Sequence, residues 1–201
     1  MKRLTNIFLY ISMVYLILLA FPHLGLAQTH QDRFSLGFNI SGSGFSDMQG
    51  SSPVVSSEIV GRWEFTEKSA IEVALAMAEF RQDFDTPVGP NSISVLSWWA
   101  EAGWSQRIVR ISNSLGLHGG LRAGITTMHR PETSVDLGAL GTATVPSAVD
   151  TRVHIGSDIK LAQKLFESVT MNLGVDLRLL SPFSEPETGY SVFGGFSIDV
   201  P

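Results

Sequence analysis

Residues 114–129, SLGLHGGLRAGITTMH, place Leu115, Leu117, Leu121, Ala123 and Ile125 on one parity and His118 and Arg122, among glycines, on the other. A period of two is the strand signature, because successive side chains leave a strand on opposite faces. An apolar face backed by glycine and arginine asks for two different solvents. Hydrocarbon outside and a narrow polar interior supply them, and of the strand architectures only a closed barrel crosses a bilayer.

The pattern recurs in eight segments, residues 33–41, 56–65, 71–78, 96–105, 114–129, 149–160, 169–179 and 190–200. In the first, Phe34, Leu36, Phe38 and Ile40 oppose Ser35, Gly37, Asn39 and Ser41; in the seventh, Leu173, Val175 and Leu177 oppose Gly174, Asp176 and Arg178. Most segments run roughly 10 to 15 residues, longer than the ~5–6 of soluble strands and enough for the ~9–11 that cross a bilayer at a tilt. The connections alternate in kind. TEKS, RISN and AQKLFE are short, whereas residues 43–53, 82–91, 130–147 and 181–189 form longer loops. Pro53, Pro87, Pro90, Pro131, Pro146, Pro182 and Pro186 all fall in the long loops. Their exclusion from the segments supports the strand assignment, since proline cannot donate to a ladder. Tight turns at one end and loops at the other predict an all-β, eight-stranded antiparallel up-and-down transmembrane β-barrel.

The start of the chain agrees. Lys2 and Arg3 precede an apolar run at residues 7–21, and Gly25 and Ala27 occupy the small-residue positions of a cleavage site before Gln28. The run of about 15 residues is shorter than the ~20 of a spanning helix, so residues 1–27 read as a signal peptide and 28–201 as the barrel domain. Residues 28–31 form a short periplasmic lead-in. Both termini are expected in the periplasm, because an even number of strands returns the chain to the side of the short turns. The formal net charge of −5 becomes more negative once Lys2 and Arg3 leave, which excludes nucleic acid as a partner. The chain has no cysteine, which excludes a disulfide scaffold, a thiolate metal site and a lipidated cysteine after the signal.

The polar face decides which side is inside. Only Lys68, Lys160 and Lys164 remain after residue 27, too few lysines for a water-facing surface. Glycine, serine, alanine and threonine dominate that face, punctuated by Glu58, Arg62, Glu72, Glu101, Arg122, Arg152, Asp158, Asp176 and Arg178. Small residues beside arginine and carboxylate partners suit the lumen of eight strands, which holds side chains and little else. Trp63, Phe65 and Trp104 fall near the short-turn end, and Phe45, Phe80, Phe84, Trp98 and Tyr190 near the loop end, as two aromatic girdles would.

On these features residues 32–200 resemble the eight-stranded outer-membrane proteins of Gram-negative bacteria, of the OmpA, OmpX and opacity-protein type. The final GGFSIDVP keeps the family's alternation through Phe196, Ile198 and Val200 but ends in Val200 and Pro201, without the family's terminal aromatic. The resemblance implies the cell outer membrane, contact with its lipid and lipopolysaccharide, an extracellular ligand at the loops, and a monomer. Some barrels of this kind are enzymes that trim or transfer acyl chains of lipopolysaccharide with a hydroxyl, a histidine and a carboxylate. Thr127, His129 and Glu132 lie together at the loop end, but with threonine in place of serine and without the family's motif order. His118 and His154 have lumen parity, where they are expected to join the hydrogen-bond network, or alternatively to form a proton or metal site with Asp150 or Asp158. No phosphate loop, HExxH, GxSxG or calcium-loop pattern occurs. The reading is a non-catalytic barrel serving envelope stability or surface interaction, with no catalytic, cofactor or metal residues. A lipid A acyl-modifying enzyme is the alternative, and a small-solute pore a third, disfavoured by the filled lumen.

Overall fold

The computed structural model describes residues 33–45, 54–181 and 187–200. The expected signal peptide, the lead-in and parts of two long loops lie outside these residues. The strands are β1 (Arg33–Phe45), β2 (Val54–Glu64), β3 (Ser69–Thr86), β4 (Gly89–Arg110), β5 (Leu115–Arg130), β6 (Thr133–Asp136), β7 (Thr142–Val145), β8 (Ala148–Lys164), β9 (Val169–Leu180) and β10 (Glu187–Val200). Eight of them close a barrel in the order β1-β10-β9-β8-β5-β4-β3-β2, and β6 and β7 form a separate hairpin. Closure is made by β1 against β10, from Phe34 opposite Val200 to Phe45 opposite Gly189.

The expected parity holds around the wall. Leu121 is 65% exposed, and Ile40, Ile59, Val153, Leu173 and Phe196 are also exposed, while Ser35, Glu72, Ser97, Arg122, His154 and Asp176 are buried. This is the reverse of a soluble protein: large apolar side chains cover the outside, and charge fills the inside. Trp104 and Tyr190 stand exposed in the two girdles, and Trp63 packs edge-on against Phe65 with centroids 6.4 Å apart. The side chains of Phe45 and Phe84 lie outside the described residues. Phe80, expected in the loop-end girdle, is instead buried with inward parity.

Two loops are more ordered than expected. In place of a loop over residues 82–91, β3 continues to Thr86 and β4 begins at Gly89, leaving Pro87 and Val88 as the turn. Beyond Ala78 and before Leu96, β3 and β4 pair in the sheet only with each other, so the hairpin projects past the wall. Its inward residues Phe80, Ile93 and Val95 are buried, and Glu79, Arg81, Asp83 and Asp85 are exposed. Pro90, expected outside the strands, sits in this stretch of β4, which has a ladder partner on one side only and so loses little by lacking a donor. The third long loop contains β6, a 3-10 turn at Gly138–Leu140 and β7. Gly138 has φ +67, and a Cβ there would run into Val88 Cγ1, so this hairpin leans on the tip of the first.

A direct test of inside and outside uses the native tryptophans, since Trp104 is 49% exposed on the outer wall and Trp99 is 3% exposed within. In bilayers containing brominated lipid, a variant keeping only Trp104 should be strongly quenched, and one keeping only Trp99 should not. The opposite ranking would mean that the apolar face is a protein core.

Candidate functional site

The interior is organised on Arg122 of β5. Its guanidinium lies 2.7 Å from Glu101, 3.1 Å from Glu72, 3.3 Å from Asp158 and 3.5 Å from Glu58. Glu72 also takes Arg62 at 2.7 Å and Lys160, while Glu101 meets Arg178 at 3.3 Å. Arg178 reaches Asp176 at 2.7 Å and lies 4.9 Å from the centroid of the Trp99 ring. Asn39 donates to Glu58 at 2.7 Å, and Ser191 to Asp176 at 3.2 Å. A charge removed from water is tolerable only when paired, and each of these is, Asp158 through ion-pair proximity to Arg122 without a hydrogen bond of its own among the described residues.

Register explains how such long side chains fit. Gly103 stands between Glu72 and Arg122 on neighbouring strands, Gly156 between Arg122 and Arg178, and Gly124 between Glu101 and His154. A Cβ at Gly103 would run into the Leu121 carbonyl and then Arg122 Cγ, and one at Gly124 into the Ala100 carbonyl and then Glu101 Cβ. The glycines are therefore the slots that the charged side chains occupy.

Three of the buried groups reproduce a hydroxyl–imidazole–carboxylate chain. The Thr126 hydroxyl is 2.9 Å from His154 Nδ1, and His154 Nε2 is 3.1 Å from Glu101 Oε2. All three are buried in the centre of the charge network, and none lines the cavity described below, so the chain serves to fix the imidazole. His154 thus joins the network, but through Glu101 and not through Asp150 or Asp158. The group read from the sequence is not assembled. The Thr127 hydroxyl bonds Thr151 at 3.1 Å, and among the described residues no hydrogen bond or ion pair joins Thr127, His129 and Glu132. Arg152 pairs with Asp150 and Glu187 at the loop-end rim, apart from the central cluster. Among the described residues no group of three or more His, Asp or Glu is arranged to hold a metal.

Toward the short turns the interior opens into a cavity of about 190 Å³. Arg122, Glu72 and Lys160 line it on the network side, and Glu67, Ser112 and Asn113 line it at the turns.

Solved structures share this architecture. The outer membrane protein OprG of Pseudomonas aeruginosa matches with a TM-score of 0.57 at 11% identity, over 84% of this chain and 95% of its own. Neisserial surface protein A matches with a TM-score of 0.54 at 11% identity, over 83% of this chain and 96% of its own. The chain has the fold of an outer-membrane β-barrel. No family model matches the sequence, and no curated protein matches it.

Breaking the network at its centre leaves carboxylates buried without a cation. Arg122→Met should lower stability by about 3–5 kcal/mol in urea unfolding from detergent micelles. Gly103→Val removes no charge but fills the slot beside Arg122, and it should also destabilise. An unchanged midpoint for Arg122→Met would show that the cluster does not hold the wall together.

Proposed function

We propose that this chain is an exported, non-catalytic protein of the cell outer membrane that acts at the surface through its loop end. The observation that carries the reading is how the inside-out barrel is filled. Its centre is committed to paired charges around Arg122, and buried apolar side chains, Phe80, Ile93, Val95 and Leu180, follow toward the loop end. Such an interior opposes a solute path. What remains for interaction is the projecting β3–β4 hairpin, braced by the β6–β7 hairpin and bordered by Glu79, Asp83 and Asp85. Those charges also protect its free edges from pairing with other chains. The lipid-facing belt takes outer-membrane lipid and lipopolysaccharide as its surroundings, and the short turns face the periplasm. The signal peptide at residues 1–27 and the barrel domain at 28–201 belong to the same reading.

Two measurements test it. A closed barrel keeps every backbone group satisfied in detergent, so unboiled protein should migrate apart from boiled protein on a denaturing gel. Lipid A from cells expressing the chain should have the same acyl mass spectrum as lipid A from cells lacking it. A lost or gained acyl chain, abolished by His129→Ala, would replace this reading with an acyl-modifying enzyme.

A further inference from the structure

The cavity at the short-turn end has a one-sided wall that the central network does not explain. Arg107 on β4, His118 on β5 and Lys160 on β8 are register partners on adjacent strands, all on the lumen side. Lys160 is neutralised by Glu72, but the Arg107 side chain has no acceptor among the described residues. His118 Nδ1 is enclosed by protein and also lacks a hydrogen-bond partner.

A bulge adds a second arginine. The β4–β5 register shifts between Arg107 and Val109, so Ile108 and Val109 both face outward and are exposed. Strict alternation would then have sent Arg110 outward, yet Arg107 and Arg110 both line the cavity. Bulges at barrel rims re-aim side chains in this way. Among the described residues Arg110 meets only neutral oxygens, the Ser112 carbonyl at 3.4 Å and Asn113 Oδ1 at 3.2 Å. Between these groups Gly116 leaves a gap, since a Cβ there would lie 3.2 Å from His118 Nε2 and 3.3 Å from Arg107 Cδ. Of the cavity's acids, Glu72 is engaged by Arg62, Arg122 and Lys160, Glu64 is engaged by Arg62, Glu67 lies on the β2–β3 turn, and Asp199 lies on β10.

We propose that this wall is an oxyanion site, in which Arg107, Arg110 and His118 take a phosphate or carboxylate group entering from the short-turn end. Two guanidinium forks offer paired donors to a planar or tetrahedral oxyanion. A partnerless enclosed imidazole nitrogen calls for a ligand of its own. The cavity exceeds the oxyanion group, which leaves room for an organic remainder. The site goes beyond the loop-end function and does not depend on what the loops bind.

The experiment is calorimetric titration of the full chain, folded in zwitterionic detergent, with inorganic phosphate and separately with acetate, at ionic strength held constant with chloride. Saturable binding is expected for at least one of them, and Arg107→Gln and Arg110→Gln should each weaken it by about tenfold or more. Gly116→Val, which keeps every charge but fills the gap, should weaken it as well, and Arg81→Gln on the opposite end should not. Preference for phosphate would assign the site to phosphorylated solutes, and preference for acetate to carboxylates. Absence of saturable binding by either anion would overturn the proposal. So would undiminished binding by Arg107→Gln protein that keeps its unboiled gel mobility.

Discussion

The ladder between β1 and β10 is the contact on which the rest of this structure depends. Within hydrocarbon an unpaired backbone amide or carbonyl costs several kcal/mol, so an open edge at either strand would be untenable. Pairing from Phe34 opposite Val200 to Phe45 opposite Gly189 removes both edges at once. Closure also sets the bore. Eight strands leave an interior that side chains fill, which requires inward positions to be small wherever a neighbour is long. The alternation of Glu72, Gly103, Arg122, Gly156 and Arg178 along adjacent strands answers that requirement directly.

A narrow closed interior then dictates which charges it accepts. Arg122 cannot shed its proton, so Glu72 and Glu101 accept hydrogen bonds from it, and the cluster balances through shared partners. Glu72 serves Arg62, Arg122 and Lys160 together, and Glu101 serves Arg122, Arg178 and His154. Because the partners lie on β2, β3, β4, β5, β8 and β9, the cluster bridges the lumen as well as adjacent strands. It ties together elements that the backbone ladders connect only in sequence around the ring.

Period-two alternation made the wall legible from sequence, since lipid and lumen impose opposite demands on neighbouring residues. It failed where those demands end. In β3 the apolar parity runs through Val73, Leu75 and Met77, then passes to Phe80, while Glu79, Arg81, Asp83 and Asp85 take the former lipid positions. The backbone continues as strand, but leaving the membrane exchanges the two solvents and inverts the pattern, so the segment reads as a loop. Phe80 was misplaced in the girdle for the same reason. Charge partners were illegible because they depend on the stagger between strands. Thr126, His154 and Glu101 stand 28 and 53 residues apart in pairs, and no spacing rule announces them. Thr127 and His129 are close in sequence but pair across the sheet with Thr151 and Val149, and Glu132 lies beyond the end of β5.

The bulge at Ile108 shows what the same logic implies for function. From Leu96 to Arg107 along β4 the alternation serves the bilayer, with one residue for lipid and the next for the lumen. At the rim an extra residue breaks it, sends Ile108 and Val109 outward together, and brings Arg110 to the same cavity as Arg107. Among the described residues neither arginine meets a carboxylate there, although the network a few residues above pairs each of Arg62, Arg122 and Arg178 with one. A lumen that neutralises its charges so thoroughly at the centre leaves its two ends as the places where chemistry remains available. At the loop end that is a braced hairpin with a charged outer edge, and at the short-turn end it is a cationic wall.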